Sequence, residues 1–252
     1  WKAGGGTTAS NSNGSITSTV QSNTTAGFSI VTYTGTGSAG TVGHGLGVVP
    51  AMIWVKCRNE ASTNWTVYHK NSNATPQNFI LELNNTNAVA DNDRFNDTAP
   101  TSSVFSVNAG SSTVNKSSNT YVAYCFASIQ GYSKFGSYKG NYQTSAPYNG
   151  PFVYCGFQPA FVMIKRSDSA NDWIMFDHKR DEDQGGNVVN PYMEANTSIA
   201  ETNNFYTGVD MLSNGFKVRG YDGNANAYGT YIYMAFAKHP FVSSKGVPCT
   251  AR

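Results

Sequence analysis

Thr120-Tyr-Val-Ala-Tyr-Cys-Phe-Ala127 is answered late in the chain by Thr230-Tyr-Ile-Tyr-Met-Ala-Phe-Ala237. In the first octapeptide Val122, Tyr124 and Phe126 would face one side of a strand and Ala123, Cys125 and Ala127 the other. Neither side carries charge, the pattern of a central strand covered on both faces. Working outward, Phe105-Ser-Val107 meets Phe216-Lys-Val218, and Trp65-Thr-Val-Tyr68 meets Trp173-Ile-Met-Phe176. The most specific match joins Pro50-Ala-Met-Ile-Trp-Val-Lys56 to Pro159-Ala-Phe-Val-Met-Ile-Lys165: Pro-Ala, four large apolar residues, then Lys. Glu82 falls like Glu194, and Gly27-Phe and Gly131-Tyr open the two registers. Such a register, with spacings drifting by a few residues, is what loop insertions in a duplicated domain leave behind.

Runs of Val, Ile, Tyr, Phe and Thr alternate with Gly, Asn, Ser and Pro clusters, and no helical period is sustained. The expected fold is all-β: two tandem homologous β-sandwich repeats, jelly-roll or lectin-like, in contact with each other. A single sandwich in which the copies exchange strands is the alternative. The boundaries expected are a polar leader over 1–26, repeat 1 over 27–130, repeat 2 over 131–241 and a tail over 242–252. By analogy Trp1 would sit where Phe126 sits, at the close of a preceding copy; a flexible polar leader is the other reading.

Charged residues make up 13% of the 252, about half the usual share, and the net charge is +2 without a basic run. Nucleic acid is therefore not an expected partner, and no apolar run reaches the length of a membrane-spanning helix. Cys57, Cys125, Cys155 and Cys249 lack metal-ligand spacing. The first three read as buried apolar side chains, and neither metal nor cofactor is expected.

Catalytic signatures are weak. Asp177-His-Lys-Arg-Asp-Glu-Asp183 alternates in sign before a Gly-Gly and reads as a solvated turn. A glycosidase would need two acids from Asp168, Asp172, Asp177, Asp181, Asp183, Asp210 and Asp222 to converge about 5–10 Å apart. His44, between glycines, reads as part of a hairpin or bulge, while His69, His178 and His239 are scattered. No enzyme is expected. The more plausible working surface is aromatic: Tyr132, Tyr138, Tyr142 and Tyr148 between the copies, with Tyr206, Tyr221 and Tyr228 in later loops. Flat rings suit sugar C–H faces or protein contact, though tyrosines also pack over sandwich edges. The expected contact set is Tyr138, Asn141, Tyr142, Tyr148 and Asn149. Trp65 and Trp173, duplicated and on strands, read as core.

Ala3-Gly-Gly, Phe28-Ser-Ile-Val-Thr-Tyr-Thr-Gly-Thr-Gly37, Val42-Gly-His-Gly-Leu-Gly47, the first octapeptide and Phe135-Gly-Ser-Tyr138 together give the chain a resemblance. It resembles the uncharacterised duplicated β-domain of tail-fibre and other virion structural proteins of marine tailed phages, the cyanophage and pelagiphage type. The resemblance spans essentially the whole chain and supplies no catalytic residues. It implies a virion component on the tail or capsid exterior, acting in adsorption. Other virion proteins and a host cell-surface glycan or protein are then the expected partners, with display as a homotrimer and without membrane insertion. A purely structural virion component and a glycan depolymerase are the alternatives.

Overall fold

The computed structural model describes residues 3, 6–180 and 188–240, and every pairing between its strands is antiparallel. The fold is all-β, as the alternating runs predict. Its residues divide into two compact units: Trp1–Leu83 with Val89–Ser128, and Asn84–Ala88 with Ile129–Arg252.

The first unit holds β1 (Ala9–Asn11), β2 (Ser18–Asn23), β3 (Phe28–Thr34), β4 (Gly40–Gly43), β5 (Met52–Cys57), β6 (Thr66–His69), β7 (Phe79–Glu82), β8 (Ala90–Asp91), β9 (Val104–Val107) and β10 (Thr120–Phe126). Its large sheet runs β1-β2-β3-β10-β5-β6-β7-β8, and β4 pairs with β9 in a small one. The second unit holds β11 (Ser133–Gly140), β12 (Asn149–Tyr154), β13 (Pro159–Arg166), β14 (Trp173–Asp177), β15 (Val188–Val189), β16 (Pro191–Glu194), β17 (Thr202–Asn203), β18 (Val209–Leu212), β19 (Gly215–Arg219) and β20 (Gly229–Ala237). Its sheets run β11-β20-β13-β14-β16-β17 and β12-β19-β18-β15.

The quoted octapeptides therefore fall on β10 and β20, each an interior strand paired on both sides in its large sheet. β3-β10-β5-β6-β7-β8 and β11-β20-β13-β14-β16-β17 run in the same order, and the Pro-Ala segments fall on β5 and β13. Phe105-Ser-Val107 and Phe216-Lys-Val218 lie in the small sheets on β9 and β19. All described pairings join strands of one unit, so strand exchange has no place among them.

Alternation sorts the side chains. Tyr121, Ala123 and Cys125 of β10 are wholly buried, as are Val31, Val42, Phe105 and Val107, while Val122 and Tyr124 on the other face are half-buried. In the second unit Ile164, Ile174, Phe176, Val209, Phe216, Val218 and Tyr231 form the corresponding core. Each fully buried side chain of this size contributes about 1.5–3 kcal/mol. Cys57, Cys125 and Cys155 are free and buried; burial pushes the Cys125 and Cys155 thiols up to about 12. Trp173 is buried, whereas Trp65 is half-buried and stacked on Tyr124, centroids 6.1 Å apart.

Two local differences from the sequence expectation have physical causes. Residues 1–26 contribute β1 and β2 to the large sheet, with Ile16 and Val20 buried. A tract so polar can extend a sheet because backbone hydrogen bonds, not side-chain burial, make the ladder. Residues 84–88 join the second unit, where the Thr86 carbonyl accepts from the Asn171 N–H (2.9 Å) and from Lys165 Nζ (3.2 Å). Lys165 is wholly buried, Nζ also donates to the Arg166 carbonyl (2.7 Å), and burial drives its pKa down to about 8. Trp1, the loop acids Asp181 and Asp183, Cys249 and the expected tail 242–252 lie outside the described residues.

Candidate functional site

One corner is constructed twice. In the first unit Tyr33 and Tyr121 face each other across β3 and β10 and stack, centroids 5.1 Å apart. The Tyr33 hydroxyl donates to the Val114 carbonyl (2.7 Å), and the Tyr121 hydroxyl accepts from the Lys116 N–H (2.8 Å) and donates to the Ser112 carbonyl (3.0 Å). The buried Asn115 closes the corner, accepting from the Thr36 N–H and donating to the Ser38 and Asn108 carbonyls. In the second unit Tyr138 and Tyr231 stack at 5.1 Å. Tyr138 donates to the Ala225 carbonyl (2.7 Å), while Tyr231 accepts from the Ala227 N–H (2.8 Å) and donates to the Gly223 carbonyl (2.8 Å). Buried Asn226 takes the place of Asn115, accepting from the Asn141 N–H and donating to the Gly220 carbonyl. Gly35 and Gly140 complete the match: a Cβ on either would stand 2.3 Å or 2.0 Å from a backbone oxygen of the opposite loop.

The loops mounted on this corner differ. The Gly37 N–H donates to the Asn115 carbonyl and the Tyr142 N–H to the Asn226 carbonyl. Both residues have positive φ, +79° and +47°. Gly110 precedes Ser111, whose carbonyl takes the N–H groups of Val114 and Asn115; Tyr221 precedes Asp222, whose carbonyl takes those of Ala225 and Asn226. Ser117 follows Lys116 as Tyr228 follows Ala227. Where the first unit places Gly, Gly and Ser, the second places three tyrosines.

The result is a cluster of six rings. Tyr142 meets Tyr228 (5.4 Å) and Tyr221 (6.1 Å); Tyr221 meets Tyr206 (4.8 Å) and Tyr148 (6.1 Å); Tyr148 meets Tyr206 (5.6 Å) and Phe205 (5.7 Å). Tyr142 is 42% exposed, Phe205 52%, Tyr206 40% and Tyr228 72%, so this is surface rather than core. The Tyr206 hydroxyl, first among several influences, raises the pKa of Tyr148. Tyr148 also has positive φ (+50°). For a bulky residue the left-handed region costs about 1–2 kcal/mol, and the loop holds two tyrosines there.

Of the five residues expected to make contact, Tyr142 and Tyr148 fall in this cluster. Tyr138 packs against the core, and burial raises its pKa well above 10, with Tyr231 adding to the effect. The Asn141 side chain braces the loop, donating to the Asn149 carbonyl (2.9 Å) and accepting from Asn226 Nδ2 (2.9 Å). The Asn149 side-chain oxygen accepts from Lys217 Nζ. Tyr132, from the same tract, packs edge-on against Phe236 at 5.7 Å. Phe205 was not anticipated. Its signal is the adjacent pair Phe205-Tyr206 behind two asparagines, a turn composition; the Thr207 N–H closes that turn on the Asn204 carbonyl (3.0 Å), and the two rings meet edge-on at 5.6 Å.

Ionisable groups are dispersed among other tasks. Asp168 pairs with Arg166 at 2.8 Å and Asp210 with Arg219 at 2.9 Å. Glu194 has its pKa raised by burial first, with Asp172 and Asp222 contributing. Asp172 Oδ1 is taken by Asn196 Nδ2 (2.8 Å) and Asp222 Oδ1 by the Asn224 N–H (2.8 Å). Among the described residues no group of three or more His, Cys, Asp or Glu side chains could hold a metal ion. His44 is wholly buried, with Nε2 3.1 Å from the Thr101 carbonyl and Nδ1 accepting from the Leu46 N–H; burial lowers its pKa, against the Thr101 contact.

A family model described as Domain of unknown function (DUF7483) matches residues 1–240. The chain belongs to that family. No curated protein and no solved structure matches this DUF7483 chain. Among its described residues no helix is long and apolar enough to cross a membrane.

Proposed function

We propose that this chain is a phage virion structural protein, the distal domain of a tail fibre or spike, and that it attaches the particle to the host surface through the tyrosine corner of the second unit. The virion assignment rests on the sequence resemblance described above, and the parallel strand orders accord with duplication of one domain. The adhesive role rests on one observation: the corner that the first unit builds with Gly37, Gly110 and Ser117 carries Tyr142, Tyr221 and Tyr228 in the second. The same hydrogen bonds form without the rings, so the rings serve something other than the corner itself. Display as a homotrimer would let weak contacts suffice, because linked sites raise effective concentration without new bonds.

The test is saturable binding of fluorescently labelled protein, of verified assembly state, to intact host cells and to their purified surface polysaccharide, with released reducing sugar assayed in the same samples. Binding without sugar release is expected. Release would replace adhesion by depolymerisation, and a folded assembly that binds neither would shift the role to a structural part of the virion.

A further inference from the structure

We infer that the tyrosine corner binds an uncharged saccharide, with Tyr142 and Tyr228 as the stacking platform and the Tyr148, Tyr206 and Tyr221 triangle as the hydrogen-bonding edge. This rests on the adhesive reading above and narrows it to one ligand class and one unit.

Three observations carry it. The first is composition: five of the six rings are phenols, each pairing an apolar face with a hydroxyl, as a sugar pairs C–H faces with hydroxyl edges. The second is charge. Arg166, whose guanidinium holds the Tyr228 carbonyl at 2.7 Å, is paired with Asp168, and Arg219 with Asp210. Lys217 Nζ is engaged by the Asn149 side chain and the Gly150 carbonyl. Both guanidinium groups are paired with carboxylates, whereas Lys217 is held by neutral oxygens and keeps its charge, which is why the test below includes anionic polymers. The third is size. With about 200 Å² per aromatic side chain, the fractional exposures of Tyr142, Phe205, Tyr206 and Tyr228 amount to about 400 Å². A standard protein interface uses about 800 Å² per partner, so the corner fits a short run of sugar rings better than a folded protein.

The first unit also supplies the control. Tyr142→Gly with Tyr228→Ser gives the second unit the residues its counterpart uses, and glycine suits the positive φ at 142. Wild type and this double variant would be titrated with cellohexaose, laminarihexaose and maltohexaose, with dextran sulfate and polygalacturonate as anionic counterparts, beside host-cell binding. The expected result is binding of at least one neutral oligosaccharide, weakened about tenfold or more in the variant, with the urea midpoint not lowered. Binding confined to the anionic polymers, or neutral binding indifferent to the variant, would overturn the inference. So would cell binding that needs the tyrosines, is abolished by protease treatment of the cells, and is competed by no saccharide; the adhesive reading would then stand with a protein receptor. Absence of both sugar and cell binding would remove both.

Discussion

Lys165 offers the most quantitative test of the second unit's interior. Its ammonium is wholly enclosed, donating to the Arg166 and Thr86 carbonyls, and burial takes its pKa from 10.5 to about 8. At about 1.4 kcal/mol per pH unit, that difference corresponds to about 3 kcal/mol between the two protonation states. The sign follows from proton counting. Between pH 8 and 10.5 the unfolded chain still binds this proton while the folded chain has released it, so stability rises with pH. The rise from this group alone amounts to about 1 kcal/mol between pH 7.5 and 9. Below this window the charged form makes folding less favourable; towards pH 9 a second set of groups intervenes with the opposite sign. Cys125 and Cys155 are raised from 9.0 to about 12, so their contribution is full only well below pH 9, begins to be lost as pH nears 9 and goes on falling towards the folded values. Unfolding free energies from urea titrations at pH 7.5, 8, 8.5 and 9 are therefore to be compared between the wild type and a variant that lacks the lysine but keeps both cysteines. Lys165→Met, similar in length and without the titrating group, keeps the cysteine contribution, so the wild-type advantage over it should grow by about 1 kcal/mol across the range. A difference between wild type and variant that does not grow with pH would refute the assignment of a buried, partly deprotonated lysine. Carbon-13 shifts of labelled lysine supply an independent reading, with one midpoint expected near 8.

Tyr138→Phe and Tyr33→Phe should each cost about 1–3 kcal/mol, since each leaves a carbonyl, of Ala225 or Val114, without its hydroxyl donor; near-equal losses in urea unfolding would support the equivalence of the two corners, and a silent Tyr138→Phe would return that residue to the surface. Trp173→Ala should cost about 3–5 kcal/mol, and Trp65→Ala, half-buried over Tyr124, about half as much; equal costs would contradict their different burial. His44, lowered by burial, should titrate below 6.5 by NMR. The stability its neutral ring contributes is complete above 6.5 and lost as pH falls through the folded value, and a midpoint at or above 6.5 would reverse that sign.

The strands were legible because their side chains face a dichotomy. A residue on β10 or β20 points into the core or away from it, and the uncharged alternation of the octapeptides states which. The Pro-Ala register located β5 and β13 for the same reason. β1 and β2 were not legible because their contribution is a ladder of backbone bonds, to which Ser18-Thr-Val-Gln-Ser-Asn23 gives little side-chain signature. Nor could the burial of Lys165 be read, since Lys56 ends the same motif with its ammonium only partly buried, on the Thr63 carbonyl and hydroxyl.

The candidate site shows where composition stops informing. Tyr138, Tyr142 and Tyr148 sit in one Gly- and Asn-rich tract, and by residue type they are alike. What separates them is register: Tyr138 is the third residue from the end of β11, paired with Tyr231 as Tyr33 is paired with Tyr121, whereas Tyr142 lies beyond Gly140. A tyrosine present in both corners answers to the fold, and one present only in the second answers to something else. By that criterion Tyr33, Tyr121, Tyr138 and Tyr231 are architecture, and Tyr142, Tyr221 and Tyr228 are cargo. The backbone at 142 points the same way. A left-handed residue that the first unit makes glycine is tyrosine in the second, at a cost of about 1 kcal/mol that the corner's hydrogen bonds do not require. A side chain kept against its own backbone preference, exposed and among five other rings, is better explained by what it touches outside the chain than by what it holds within it.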